Sequence, residues 1–266
     1  MKRILTAAVL LPVFILAVLA PRPAWFHVLV ALGAALCAWE FQGLAGAYGA
    51  RPQRVLGPLW TLALLACALW PDLLDLSSVA AVGFTVIVLW TALQRLEMAR
   101  YLPTVALTLF GGVYIGLFLG FLARLRTVED GTGSKLIFLL AAIIWTGDSA
   151  AYYIGSRWGR HKLSPKVSPK KSWEGAAASV AGGILAASVC KLTFFPQLGW
   201  RDAAVLGVLL SVAGQLGDAF ESLLKRGAGV KDSSAILPGH GGFLDRLDSI
   251  VFNGPILFYY HQVFLR

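Results

Sequence analysis

Apolar runs recur along the whole chain and alternate with short polar loops. Most runs are about 17–24 residues long, the length that a helix rising 1.5 Å per residue needs to cross roughly 30 Å of hydrocarbon. The runs lie at residues 4–20, 24–47, 55–70, 77–93, 103–125, 134–156, 174–195, 203–224 and 243–265. The pattern predicts an all-α, polytopic integral membrane protein with about nine transmembrane helices, of which the third and fourth are short.

The composition also indicates a membrane protein. Of the 266 residues, 58% are hydrophobic and 14% are charged, whereas soluble domains have about 45–50% apolar and about 25% charged residues. No segment between the runs is long enough for a soluble domain. The first run follows Lys2 and Arg3 and so resembles a signal peptide as well, but Pro21 stands directly after the only suitable cleavage point. We therefore expect a transmembrane helix there.

The basic residues predict the orientation. With the amino terminus inside, most of the 23 Lys and Arg residues fall on the cytoplasmic side, including the basic loops 157–173 and 225–246. The net charge of +9 then reflects orientation and attraction to anionic lipid, and no nucleic acid is expected as a partner. Cys37, Cys67 and Cys190 stand singly within predicted helices, so we expect small apolar fillers rather than disulfides or a metal site.

Several carboxylates lie within predicted transmembrane helices, where charge is costly and usually functional. They are Glu40, Asp148, Asp218 and Glu221. Each is nearer the cytoplasmic end of its helix, and Asp245 and Asp248 lie at the same boundary. One acid at a helix amino terminus is explained by the helix dipole alone, but the whole set predicts a polar cavity that faces the cytoplasm. Carboxylates facing water suit Mg²⁺, which prefers oxygen ligands.

The segment before the seventh predicted helix is rich in lysine. Ser172 is expected to cap a helix that begins at about Trp173. Lys170 and Lys171 are explained either as topology signals or as ligands of phosphate, together with the Ser172 hydroxyl and the free N–H groups of the helix start.

A glycine-rich segment precedes the last predicted helix. Gly239, Gly241 and Gly242 either present bare N–H groups to an anion or only permit a tight turn. The neighbouring cations favour a polyphosphate site; they are Lys225, Arg226, Lys231 and Arg246. His240 is expected either to orient phosphate or to stabilise the turn.

Other features predict packing. Gly112, Gly116 and Gly120 recur at every fourth residue, which is typical of closely packed membrane helices. Pro255 predicts a kink in the last helix. Five tryptophans fall at predicted helix boundaries and are expected to anchor the protein at the membrane interface: Trp25, Trp60, Trp70, Trp158 and Trp200.

The segment from Ser222 to Asp248 reads S-x-x-K-R-x₄-K-D-x₅-P-G-H-G-G-x-x-D-R-x-D. It resembles the signature of the phosphatidate cytidylyltransferase family, also called CDP-diacylglycerol synthases. The upstream "SPKKSWEG" is similar to the family pattern S-P-K-K-[ST]-x-E-G, and the resemblance covers residues 147–248. It implies a membrane enzyme that joins CTP and phosphatidate (phosphatidic acid) to give CDP-diacylglycerol and pyrophosphate.

The resemblance also implies residue roles. Mg²⁺ is expected on Asp218 and Asp245 with support from Asp148, and a monovalent cation such as K⁺ is an additional option. The expected catalytic residues are Asp218, Asp245, Asp248, Lys225 and Arg226. The expected phosphate-binding residues are Lys170, Lys171, Ser172, Ser222, Lys231, His240, Gly241, Gly242 and Arg246.

The positions of the motifs and of the basic residues together predict how the protein is organised. Residues 1–133 would form a scaffold and residues 134–266 a catalytic region in the cell (inner) membrane, with the active site on the cytoplasmic side. A homodimer is one option for its assembly. The alternatives are a cation-coupled transporter, for which we find no inverted repeat, and a CDP-alcohol phosphotransferase, whose D-G-x₂-A-R motif is absent from the sequence.

Overall fold

The computed structural model describes residues 2–128, 130–165, 167–236, 239 and 241–265, with side chains from residue 8 onward. Helices form most of this part of the chain. They are α1 (Lys2–Leu19), α2 (Ala24–Ala45), α3 (Leu56–Leu69), α4 (Leu76–Leu93), α5 (Met98–Gly111), α6 (Phe118–Leu125), α7 (Gly133–Trp158), α8 (Trp173–Thr193), α9 (Trp200–Gly227), α10 (Leu244–Val251) and α11 (Asn253–Tyr260). A hairpin of β1 (Lys162–Ser164) and β2 (Ser168–Ser172) precedes α8. The predicted helical membrane architecture is therefore confirmed, with this hairpin as an addition.

Six helical segments in the described residues are long and apolar enough to cross a membrane. They are Ala24–Tyr48, Leu76–Leu93, Met98–Leu125, Gly133–Trp158, Trp173–Thr193 and Trp200–Gly227. The expected count of nine is not confirmed. Two further apolar helices are shorter, Ala8–Leu19 and Leu56–Leu69; the second spans 14 residues, which is about 21 Å at the α-helical rise.

The ninth predicted helix is interrupted. α10 ends at Val251 and α11 begins at Asn253, with Phe252 between them. Pro255 lies four residues after Val251, and a proline ring clashes with the carbonyl at that distance while donating no hydrogen bond. The break therefore falls where Pro255 predicted a kink, and it leaves two helices of 8 residues each.

The chain divides into two compact units. Unit 1 comprises Met1–Arg124 and Leu224–Leu247, and unit 2 comprises Leu125–Leu223 and Asp248–Arg266. Much of the expected signature, residues 224–247, thus belongs to the same unit as the amino-terminal helices. The functional division into a scaffold at 1–133 and a catalytic region at 134–266 stays a prediction.

Unit 1 is organised around close packing of α3. A Cβ atom on Gly116 would overlap the carbonyl oxygen of Thr61, and one on Gly120 would lie 2.7 Å from the Cβ of Ala68. A Cβ atom on Gly112 would likewise overlap the ring of Trp60. The close helix packing predicted from the glycine spacing is confirmed, because only glycine leaves room for α3 at these positions.

Trp60 corrects one prediction. Its side chain is 5% exposed and packs with Leu64 and Ile87, and its ring N–H donates to the Leu109 carbonyl at 3.2 Å. The interpretation of Trp60 as an interfacial anchor is therefore wrong. A buried indole needs a partner for its N–H, and here the backbone of a neighbouring helix accepts it. The other four tryptophans that were expected at the interface are between 51% and 65% exposed, namely Trp25, Trp70, Trp158 and Trp200.

Unit 2 is built on α7, α8 and α9. A Cβ on Gly147 would lie 2.9 Å from the Ser179 hydroxyl, and one on Gly207 would lie 2.6 Å from the Cα of Ile184. Small residues at such points let helix backbones approach closely in a membrane protein. This packing fixes the two helices, α7 and α9, that carry Asp148 and Asp218.

Replacing Gly116 by alanine should destabilise the protein. The new Cβ would overlap the Thr61 carbonyl, and overpacking of this kind costs about 1–3 kcal/mol. Gly43→Ala is the matched control, since a Cβ there has no atom within 4 Å. Thermal unfolding in detergent should give a lower midpoint for Gly116→Ala only. Equal midpoints for the two variants would contradict the close packing of α3.

Candidate functional site

The lysine-rich segment before α8 folds as an antiparallel hairpin. Lys162 of β1 lies opposite Ser172 of β2, and the N–H of Trp173 donates to the carbonyl of His161 at 2.9 Å. Glu174 in the first turn of α8 accepts from the N–H of His161 at 3.2 Å and lies 2.6 Å from its ring Nδ1. These contacts fix the hairpin to the start of α8, so its lysines have defined positions.

Ser172 connects the hairpin to α8. Its hydroxyl accepts from the N–H of Gly175 at 3.1 Å, which makes it the N-cap of a helix that begins at Trp173. Both the cap and the helix start were predicted from the sequence and are confirmed. Ser172 is 3% exposed, and a Cβ on Gly159 would lie 2.5 Å from its hydroxyl, so the chain is tightly packed at this point.

A cavity of about 510 Å³ lies next to the hairpin in unit 2. This volume falls within the range of small-molecule sites, about 300–1,000 Å³. The wall is formed by α7, the hairpin, α8 and α9. Its polar lining includes Asp148, Tyr152, Lys162, Lys170, Lys171, Ser172, Gln215 and Asp218. The structure thus brings together five of the predicted site residues, namely Asp148, Lys170, Lys171, Ser172 and Asp218.

Both signs of charge occur in the wall of this cavity. Lys171 and Asp218 form an ion pair in which the side chains are 28% and 33% exposed. Ser222, one helical turn after Asp218, donates its hydroxyl to the Asp218 carboxylate at 3.3 Å. Because neither member of the ion pair is fully buried, both side chains remain accessible to a solute.

The acids of the cavity fit a magnesium ion. Mg²⁺ is usually bound by one or two carboxylates and takes its remaining ligands from water and substrate phosphates. Asp148 and Asp218 provide two carboxylates in one cavity. The described residues include no group of three or more His, Cys, Asp and Glu that could hold a metal by themselves. A metal here would therefore depend on oxygen atoms of the substrate as well.

Asp245 of unit 1 is held by protein donors. Lys225 contacts its Oδ1 at 2.6 Å, and the two side chains are 11% and 5% exposed. The N–H groups of Ser233 and Gly242 donate to its Oδ2 at 3.0 and 2.7 Å. Its expected metal-binding and catalytic roles, and that of Lys225 in catalysis, stay predictions.

The remaining predicted residues have other positions. In unit 1, Arg226 donates to the carbonyl of Val230 at 3.2 Å, while Lys231 and Arg246 are exposed. Gly241 has a positive φ of 82°. In unit 2, Asp248 accepts from the N–H of Ser249 at 2.6 Å. His240 lies outside the described residues.

Sequence reasoning missed several residues that line the cavity of unit 2 or surround Asp245 in unit 1. Lys162, Tyr152 and Gln215 line the cavity, but no spacing relates them to Asp218. Ser233 contacts Asp245 with both its N–H and its hydroxyl. Glu40 was identified as an acid within the membrane, but its partners lie about two hundred positions away in the chain.

Comparisons with known proteins give a consistent result. The family model described as the cytidylyltransferase family matches residues 1–264. Three relatives are each named phosphatidate cytidylyltransferase. The Bacillus subtilis protein is 36% identical over 181 residues, which is 68% of this chain and 67% of the relative.

Two further relatives match a shorter segment. The Mycobacterium bovis protein is 41% identical over 152 residues, 57% of this chain and 49% of the relative. The Brucella suis protein is 43% identical over 158 residues, 58% of this chain and 56% of the relative. The match thus spans between about half and two thirds of the length of these relatives. These similarities favour the enzyme over the transporter and over the CDP-alcohol phosphotransferase.

Removal of the Ser172 hydroxyl should destabilise the start of α8. Loss of an N-cap costs about 1 kcal/mol, so Ser172→Ala should lower the free energy of unfolding by that amount. Ser188→Ala is the control in the same helix, because Ser188 donates to the Ile184 carbonyl within the helix and caps nothing. Denaturant titration in detergent measures both. A Ser172→Ala variant as stable as Ser188→Ala would contradict the cap.

Proposed function

Because this chain belongs to the cytidylyltransferase family, we propose that it transfers the cytidylyl group of CTP to phosphatidate within a membrane. The products are CDP-diacylglycerol and pyrophosphate, so the reaction serves phospholipid biosynthesis. The observation that carries this proposal is the cavity of unit 2, where lysines and carboxylates line one space in a protein with membrane-spanning helices. The names of the relatives supply the substrates.

The reaction requires little covalent help from the protein. An oxygen of the phosphatidate phosphate attacks the α-phosphorus of CTP, a new P–O bond forms, and the bond from the α-phosphorus to the bridging oxygen breaks as pyrophosphate leaves. A phosphate monoester is largely ionised at neutral pH, so no strong general base is needed. The main barrier is the repulsion between two polyanions, which positive groups reduce by neutralisation and positioning.

The lysines of the cavity fit this task. Lys162, Lys170 and Lys171 line it together with the start of α8, where the positive end of the helix dipole favours an anion. Tyr152 and Gln215 add polar surface on the facing helices. We assign the binding of substrate phosphates to the three lysines and to Ser172.

Asp148 and Asp218 are the residues that would hold Mg²⁺. When bound, the ion would supply positive charge to phosphate oxygens. Ser222 would keep Asp218 oriented through its hydrogen bond, and Lys171 would exchange between Asp218 and a phosphate oxygen. Participation of Asp245, of Asp248 and of a monovalent cation such as K⁺ remains a prediction from the sequence.

The cavity is proposed to open to the cytoplasm, in the cell (inner) membrane. The positive-inside rule supports this orientation, because the basic segments 157–173 and 225–246 hold ten of the 23 Lys and Arg residues. CTP would then enter from the water phase, while phosphatidate would present its phosphate from the lipid surface.

Loss of the Asp218 charge should abolish the proposed reaction. Asp218→Asn keeps the side-chain volume but removes a ligand charge that Mg²⁺ prefers, so we expect turnover to fall by about a hundredfold or more. Asp202→Asn is the control in the same helix, since Asp202 accepts from the Tyr260 hydroxyl at 2.8 Å outside the cavity and an amide oxygen still accepts.

The measurement is pyrophosphate release by purified protein with CTP, phosphatidate and Mg²⁺. An inactive wild-type protein would refute the proposed function. An active wild type with an equally active Asp218→Asn variant would refute only the assignment of Asp218.

The orientation is tested by labelling single cysteines. Pro165→Cys and Gln197→Cys are both at exposed positions, and the three native cysteines, which are buried, would be replaced by alanine. A membrane-impermeant thiol reagent applied from outside intact cells should label position 197 and spare position 165. Labelling of position 165 under these conditions would overturn the cytoplasmic placement of the cavity.

A further inference from the structure

Glu40 of α2 is a buried acid whose two oxygens are both hydrogen-bonded. The residue is 1% exposed. Its Oε1 accepts from the Ser234 hydroxyl at 2.6 Å and from the N–H of Phe243 at 3.0 Å. Its Oε2 accepts from the Ser233 hydroxyl at 3.0 Å and from the N–H of Leu244 at 2.9 Å. All four donors belong to the α9–α10 connection, residues 228–243, or to the first residue of α10.

The position of these donors explains why an acid is favoured here. The first N–H groups of a helix have no partner within the helix, and α10 begins at Leu244. A carboxylate at this point satisfies two of them and interacts favourably with the positive end of the helix dipole. The two serine hydroxyls complete the hydrogen bonding of a charge that has no access to water.

Ser233 links Glu40 to Asp245. Its hydroxyl lies 3.0 Å from Glu40 Oε2 and 3.1 Å from Asp245 Oδ2, and a hydroxyl has one proton to share between them. The N–H of Ser233 also donates to Asp245, and Lys225 contacts the same carboxylate. Glu40, Ser233, Asp245 and Lys225 therefore form one hydrogen-bonded network inside unit 1.

Gly242 shows how closely the chain is held against this network. A Cβ at this position would overlap the Ser233 hydroxyl and the Glu40 Oε2. The N–H of Gly242 points instead to Asp245, at 2.7 Å. The glycine is thus required by contact with Glu40, which accounts for one glycine of the signature without assigning it to a ligand.

We propose that Glu40 is a positioning residue for the reaction. It fixes the end of the α9–α10 connection and the start of α10, and through Ser233 it sets the orientation of the Asp245 carboxylate. It touches no substrate. The proposal rests on the proposed function for its kinetic consequence, whereas its structural consequence stands independently.

Glu40→Gln tests the proposal with little change in volume. The amide NH₂ would face two of the four donors, so the segment 241–247 should lose its fixed position. Hydrogen–deuterium exchange of peptides that cover 241–247 should be at least about tenfold faster than in the wild type, since their amide hydrogen bonds to the carboxylate are weakened. Peptides from α7 and α8 should exchange at the wild-type rate.

Glu40→Gln should affect kcat and KM differently. Displacement by about an ångström reduces rates steeply, so we expect kcat to fall by about tenfold or more. The lysine-lined cavity of unit 2 is unchanged, so KM for CTP should stay within about threefold. A purely structural role would lower the yield of folded protein or its melting temperature and leave kcat per folded molecule unchanged.

Two further variants keep the test decisive. Glu97→Gln makes the same exchange at an exposed residue of unit 1 whose side chain caps nothing, and it should match the wild type in exchange and in kcat. Ser234→Ala removes one donor to Glu40 and should change both quantities in the same direction by a few-fold. If Glu40→Gln does not fold, this smaller change at Ser234 decides the question.

Wild-type exchange at 241–247 in both Glu40→Gln and Ser234→Ala would overturn the proposal, as would faster exchange with unchanged kcat. An inactive wild-type enzyme would instead refute the proposed function. The exchange measurement would then still establish whether Glu40 holds the α9–α10 connection.

Discussion

Charge between membrane helices is stable only where other charges or hydrogen-bond donors surround it, and the polar parts of this protein are arranged around that constraint. Glu40 and Asp245 in unit 1 each accept several hydrogen bonds at 3.0 Å or less. Lys171 and Asp218 in unit 2 neutralise each other. The backbone around these groups is arranged accordingly. The chain at Gly242 packs directly against Glu40, and the β1–β2 hairpin places Lys171 in the wall of a cavity.

The two units use this constraint differently. In unit 1 the carboxylates of Glu40 and Asp245 are buried and hydrogen-bonded, so they determine where the neighbouring backbone lies. In unit 2 the side chains of Lys171 and Asp218 remain partly exposed and line a cavity large enough for a small molecule. Buried carboxylates with many donors suit the positioning of a segment, whereas partly exposed charges suit the binding of an ionic ligand that exchanges with water. This contrast supports the proposed binding of substrate in unit 2 and the proposed positioning role of Glu40.

The amino-terminal helices consequently do more than anchor the protein in lipid. α3 packs on a row of glycines in unit 1, and α2 supplies Glu40 to a segment that follows α9. The family model extends over residues 1–264, so it includes these helices as well as the signature. The amino-terminal helices thus supply a hydrogen-bonded acid to the signature segment 222–248.

The sequence by itself determined the features that depend on neighbouring residues. Hydrophobic run length predicted the helical membrane architecture, Ser172 predicted the start of α8, the spacing of Gly112, Gly116 and Gly120 predicted close packing, and the segment 222–248 predicted the family. Each of these features depends on a local pattern of residues. Helix formation, helix capping and the spacing of residues along one face of a helix all involve residues a few positions apart. Lys170, Lys171 and Ser172 of the hairpin were predicted for the same reason.

Only the tertiary structure decided which distant residues meet. It placed Trp60 in a core, because the α5 carbonyl at Leu109 accepts its N–H. It joined Lys171 to Asp218 and Glu40 to residues 233–244, and it left α3 too short and the last run too interrupted to count among the long apolar helices. Such contacts depend on how whole helices pack, and a pattern of single positions does not encode a hydrogen bond between residues 204 positions apart.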